Sequence, residues 1–297
     1  MNLLLIGHAV VDKIIDINHT SEKPGGIFYS VIGFISQRGQ EDQLYLCSTI
    51  DKQHRILFSE ALDYVQKDFV KIADTIPQVE LVLNNEGERE ENYSSIPSNL
   101  DVPLIGLDKF DGILINMISG NDLSLAQIKE LRKNYKGLIY FDVHTFSRGV
   151  DKNLKRFFRR IEDFDEWAKC IDILQANETE LKTLSDQTTE KTIVEELFSF
   201  GIKQVIITRS ERGATVFTRE SNKINEFHKD GFKVKSINKV GCGDIFGAVY
   251  FYNYIKNKNM PAALECANHF AGIATTYSDV KSLLNLKKDV YERFSTK

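Results

Sequence analysis

Along most of the chain, short apolar runs alternate with longer stretches whose apolar residues return every three or four positions. The runs Leu3–Gly7, Leu44–Cys47, Gly112–Ile118, Leu138–Val143, Ile171–Gln175 and Val205–Thr208 are almost continuously apolar, as in strands covered on both faces. Between them, Leu123–Tyr135 and Thr189–Phe200 show helical periodicity. Alternation of this kind predicts parallel βαβ units, hence an α/β protein with a doubly wound, mainly parallel sheet flanked by helices. Two polar segments, 13–23 and 76–106, interrupt it, the second joining an alternating VELVL to the charged EGEREENYSS. The charge run alone describes a solvated hairpin; brought together, the two segments would form a small β lid over a cleft. No repeat or Pro/Gly-rich linker divides the chain, so residues 1–297 are expected to form a single domain.

Composition narrows the function classes. With 297 residues, 42% of them hydrophobic, the chain can bury a large core. A formal net charge of -4 gives no reason to expect a nucleic-acid partner. Cys47, Cys170, Cys242 and Cys266 are widely separated and form no C-x-x-C pair, which argues against a zinc site or a disulfide framework. The opening MNLLLIGHAVVD is too short to span a membrane and lacks a basic start, so it reads as a buried strand. A cytoplasmic protein with no membrane partner is the expectation.

The candidate chemistry lies in Asn238-Lys239-Val240-Gly241-Cys242-Gly243-Asp244-Ile245-Phe246-Gly247-Ala248. Two glycines around one small residue allow a tight turn that aims successive N–H groups at one point. The apolar run from Ile245 to Ile255 predicts a buried helix, whose free N–H groups and dipole would make an anion site at its start. Asp244, in the first turn, could take a proton from a hydroxyl attacking that anion, and the dipole is expected to hold it ionised. Read alone, the same residues also describe an N-capped core helix after a glycine turn.

This stretch resembles the second signature of the ribokinase-like (PfkB) carbohydrate kinases, roughly D-T-x-G-A-G-D-x-F, with Gly241, Gly243, Asp244 and Phe246 in register. The resemblance implies a ribokinase-like fold with a β lid and an ATP-dependent carbohydrate kinase. It makes Asp244 the catalytic base and Gly241, Cys242 and Gly243 the turn that holds the transferring phosphate. Cys242 replaces the usual Ala, and Asn238 stands where many members have Asp, which leaves a monovalent-cation site uncertain. Asp12 matches the aspartate that binds acceptor hydroxyls. Gly25 and Gly26 match the diglycine where the lid hinges, and Ser30 stands at the usual Asn of the acceptor site. Asn177 and Glu180 match the N-x-x-E motif, positioning Mg²⁺ through water. Thr208 and Gly213 match the T-x-G-x-x-G turn at the ATP phosphates, in which Ser210 replaces a glycine, and Asn268 falls beside the adenine pocket. His144 and Arg148 occupy the zone of the D-x-N-x-R segment. A homodimer through the lid is a further implication of the family.

Other nucleotide-binding patterns are absent: the chain contains no Gly-Lys dipeptide for a P-loop and no G-x-G-x-x-G after its first strand. The acceptor is expected to be a small sugar or sugar-like molecule, with a nucleoside as the alternative. From a different class, changes at Ser30, Ser210 and Asn238 would suit a catalytically weak regulator that binds nucleotide or sugar.

Overall fold

The computed structural model describes residues 1–16, 19–83, 89–221 and 223–295. In chain order its strands are β1 (Asn2–Ile6), β2 (Ala9–Asp16), β3 (His19–Gly26), β4 (Gln43–Asp51), β5 (Gln66–Ala73), β6 (Gln78–Leu83), β7 (Arg89–Tyr93) and β8 (Gly112–Asn116). They continue as β9 (Leu138–Asp142), β10 (Arg148–Val150), β11 (Arg156–Phe158), β12 (Ile173–Asn177), β13 (Gln204–Thr208), β14 (Ala214–Glu220) and β15 (Lys223–Lys229). The large sheet has the order β15-β14-β13-β12-β9-β8-β1-β4-β5. From β13 to β5 every pairing is parallel, and β14 and β15 close the other edge antiparallel.

Both faces are buried because side chains alternate along each strand. Leu3 and Leu5 join the core under the helices Ile27–Gln37, Cys242–Asn257 and Met260–Ala274, while Leu4 and Ile6 join the opposite core with residues of Leu125–Asn134 and Glu190–Ser199. This is the doubly wound architecture expected. The helix Ile27–Gln37 crosses Cys242–Asn257 so closely that a Cβ on Gly33 would lie 2.7 Å from that of Ala248.

The polar segments pair in a second sheet, β3-β2-β6-β7, with β2 and β6 parallel and both outer pairings antiparallel. It differs from the expected bounds. β2 starts at Ala9, within an apolar stretch, and residues 94–106 form no strand. Residues 17–18 and 84–88 of the expected segments lie outside the described residues. A small core of Val10, Val79, Tyr93 and Ile118 supports this sheet. The short hairpin β10–β11 is attached to it, for Tyr93 N–H donates to Leu154 O at 3.2 Å and Asn92 bridges Lys155. Among the described residues, no helix is long and apolar enough to cross a membrane.

Candidate active site

The neighbouring parallel strands β8, β9, β12 and β13 all end in polar residues: Asn116, Asp142, Asn177 and Thr208. Strand register brings these ends into line, with Asn116 and Gln175 both opposite Asp142, and Asn177 opposite Thr208. The carboxyl edge of such a sheet is where open α/β folds bind ligands. A cleft of about 590 Å³ opens there, lined by Val10, Asp12 and Gly26 of the small sheet and by the Gly241–Asp244 turn.

Gly241 caps the helix Cys242–Asn257 with φ 74°. A Cβ there would fall 2.0 Å from the Tyr29 ring, so glycine is required for both reasons. Gly243 differs: an added Cβ meets nothing within 4 Å and would enter the cleft. Gln175 fixes the turn from below, its Nε2 donating to Gly243 O at 3.1 Å and to Asp142 Oδ2 at 2.7 Å. Gly247 leaves room for it, since a Cβ would lie 2.8 Å from Gln175 Oε1. Burial pushes the Cys242 thiol up to about 11, so the residue behaves as a small neutral filler.

Asp244 is only 6% exposed. Asn116 Nδ2 donates to its Oδ1 at 2.7 Å and to Ser30 Oγ at 3.0 Å, while His144 Nε2 stands 3.9 Å from the same Oδ1. Burial raises the Asp244 pKa above the ordinary carboxylate value, and the His144 charge and the Asn116 hydrogen bond oppose it. Desolvation thus outweighs the hydrogen bonds and charges that favour the ion. Asp142 is raised further by burial and by the charges of Glu180 and Asp244, and burial raises Glu180 as well. Three buried carboxylates thus crowd the floor of the cleft.

Asn177 and Glu180 form a reciprocal cap. Asn177 Oδ1 accepts from the N–H groups of Thr179 and Glu180 at 2.9 Å, and Glu180 Oε2 accepts from Asn177 N–H at 2.8 Å. Both residues line the cleft. Among the described residues, no cluster of three or more His, Cys, Asp or Glu could hold a metal ion directly. The side chains of Asn177 and Glu180 are hard oxygen donors of the kind that would hold a hydrated Mg²⁺, and such an ion would offset the crowded negative charge.

The other expected residues divide. Asp12, Gly26, Thr208, Gly213 and Asn268 line the cleft; Gly25 and Ser30 do not. Gly25 instead makes space for Asp12, because its Cβ would lie 2.4 Å from Asp12 Oδ2. Ser30 is fully buried behind Asp244, reaching it through Asn116. Asn268 Nδ2 donates to Lys229 O at 2.9 Å, which fixes the loop after β15. Gly213 has φ 87° and no room for a side chain, since a Cβ would lie 2.0 Å from Lys229 O. Ser210 adopts the left-handed region (φ 53°) where the family motif has glycine. Arg209 is held by Glu178 at 2.9 Å and Glu190 at 2.6 Å, and Arg212 by Glu178, so both brace the Asn177 turn. Asn238 lies outside the cleft lining, its Oδ1 accepting from Val240 N–H at 3.0 Å. Sequence reasoning did not single out Asn116, Asp142, Gln175 or Arg156, all of which touch the cleft or Asp244. The polar residues ending apolar strand runs were the available signal for the first three.

Residues 145–286 match the pfkB family carbohydrate kinase model. A ribokinase from Arabidopsis thaliana is 28% identical over 136 residues, which cover 42% of this chain and 35% of the relative's length. The structure of Arabidopsis thaliana ribokinase complexed with ribose and ATP superposes with a TM-score of 0.74 at 18% identity, covering 97% of this chain and 98% of that one. Ribokinase from Cryptococcus neoformans in complex with ADP gives 0.74 at 14% identity, over 98% of each chain. The chain therefore has the ribokinase-like fold, and the resemblance to the PfkB carbohydrate kinases carried by its glycine turn is shown by its own match to that family.

Proposed function

We propose that the chain transfers the γ-phosphoryl group of ATP to a hydroxyl of a small sugar or sugar-like acceptor. The observation that carries this reading is the buried carboxylate of Asp244 in the first turn of a helix, beside the open Gly243 position on the floor of the cleft. Phosphoryl transfer asks a protein for positioning, charge stabilisation and removal of one proton. The N–H groups of the Gly241–Gly243 turn would hold the transferring phosphate. Asp244 would take the acceptor proton, Asn116 would orient its carboxylate, and Asp12 would hold the acceptor hydroxyls. Thr208, Gly213 and Asn268 border the nucleotide end. When bound, Mg²⁺ neutralises phosphate charge, and Asn177 and Glu180 would position it through water. The small sheet would close as a lid and exclude water from the transfer, and paired lids would give a homodimer.

The test is ADP release across a panel of sugars and nucleosides. Turnover of a sugar supports the reading, and turnover of nucleosides alone moves the acceptor class. Tight ATP binding with no turnover of any acceptor would replace the enzyme by a regulator of the same fold.

A further inference from the structure

Ser30, Asn116 and Asp244 form a buried chain beneath the cleft. Ser30 lies in the first turn of Ile27–Gln37, one turn beyond the capping Gly26, and is fully buried. Asn116, the last residue of β8, is 1% exposed. Its Nδ2 donates in two directions, to Asp244 Oδ1 at 2.7 Å and to Ser30 Oγ at 3.0 Å. Its Oδ1 is buried with no hydrogen-bond partner among the described residues. A buried acceptor left unpaired is costly, so the needs of Asn116 itself do not set this orientation. The backbone of Asn116 is fixed: Ile118 N–H donates to its O at 2.9 Å, and a Cβ on Gly7 would lie 2.8 Å from that oxygen. The freedom that remains is rotation of the amide.

That rotation matters chemically. With Nδ2 toward Asp244, the amide donates to a group that can only accept when ionised, which favours the carboxylate. Turned over, it would set Oδ1 against Asp244 Oδ1, a contact that only a protonated carboxyl satisfies. A single tether at Asp244 leaves the amide plane free to swing, whereas a second tether at Ser30 fixes it. We propose that Ser30 is a positioning residue: acting through Asn116, it holds the donor side of that amide on Asp244 and so presents the base in its ionised form. This rests on the kinase reading and adds a residue to it. The ionisable groups around Asp244 are His144, 3.9 Å away, and the carboxylates of Asp142 and Glu180. Ser30 and Asn116 carry no charge, so their effect on Asp244 passes through hydrogen bonding alone.

The experiment titrates Asp244 in the full chain by carboxyl ¹³C NMR, with Asp244→Asn identifying its resonance. The acid limb of the pH–rate profile is followed beside it by ADP release. Asn116→Leu removes the donor at similar size and should raise the proton affinity of Asp244 by roughly 10–100-fold, the range of a charged hydrogen bond. Ser30→Ala should raise it in the same direction by roughly 2–10-fold. Ser30→Cys keeps the volume but is a weak acceptor, and it gives the same sign where Ser30→Ala fails to fold. Adding Ser30→Ala to Asn116→Leu should change nothing further, because its effect passes through the amide. A folded Ser30→Ala or Ser30→Cys protein with the wild-type titration overturns the inference, and so does an undiminished shift in the Asn116→Leu background. Either result, with phosphoryl transfer intact, leaves the kinase reading standing. The expected shifts without transfer to any acceptor keep the link from Ser30 to Asp244 and remove the kinase reading.

Discussion

Asp244 meets two opposed demands. A base must be ionised, yet its burial favours the neutral acid, so the acid limb of the pH–rate profile should lie above the ordinary Asp value of about 3.9. His144→Asn removes the positive charge that opposes this shift, so the limb should move to higher pH. Asp244→Asn retains the size and the Oδ1 that accepts from Asn116 but has no basic site. Its kcat should fall by roughly 10²–10⁴-fold, with ATP affinity little changed, as read by steady-state kinetics and nucleotide titration. The same variant bears on stability. A carboxyl whose folded pKa is raised binds its proton more tightly when folded, so stability falls as pH rises through the folded value. At neutral pH the wild type therefore carries the cost of a buried charge, and Asp244→Asn should melt at a higher temperature. That advantage should close as pH falls towards the unfolded Asp value, and thermal melts at several pH values check the sign. A variant that loses both turnover and stability would point to a structural carboxylate.

At the scale of elements, the two glycines of the turn make separable predictions. Gly241→Ala places a Cβ against Tyr29 at a positive φ and should cost at least about 1–2 kcal/mol of stability, measured by denaturant unfolding. Gly243→Val fills open space, so it should fold with stability changed by no more than about 1 kcal/mol while losing phosphate binding and turnover. Normal kinetics in a folded Gly243→Val protein would make the turn structural only. The helix and its glycine turn were legible because local chemistry dictates them, as were the six apolar strands. The hairpins β14–β15 and β10–β11 were not, because Lys223–Lys229 and Arg156–Phe158 lie at edges with mixed exposure and lack a two-sided apolar signal. Asn116, Asp142 and Gln175 were missed for another reason. Each ends or nears the end of an apolar run, and only the register between strands distant in sequence brings them under Asp244. The Ser30 expectation placed an acceptor contact where the fold puts a support for Asn116. Arg156 had no motif and depends on the docking of a hairpin onto Tyr93.

Across the whole molecule, the cleft has one wall on a large, doubly covered sheet and the other on a four-stranded sheet with a small core. Binding of acceptor and nucleotide together should slow amide exchange in β2, β3 and β6 more than in β8 or β12, as hydrogen-exchange mass spectrometry would show. Equal protection across both sheets, or none in the small one, would remove closure from the mechanism. The two walls are also unequal in their place along the chain. The small-sheet wall draws its lining from Val10, Asp12, Gly26 and Val79, whereas Asn177, Thr208, Gly213 and Asn268 line the cleft from later in the chain. The helix that follows the diglycine crosses the helix of Asp244 so closely at Gly33 and Ala248 that a shift of either would be felt by both walls of the cleft.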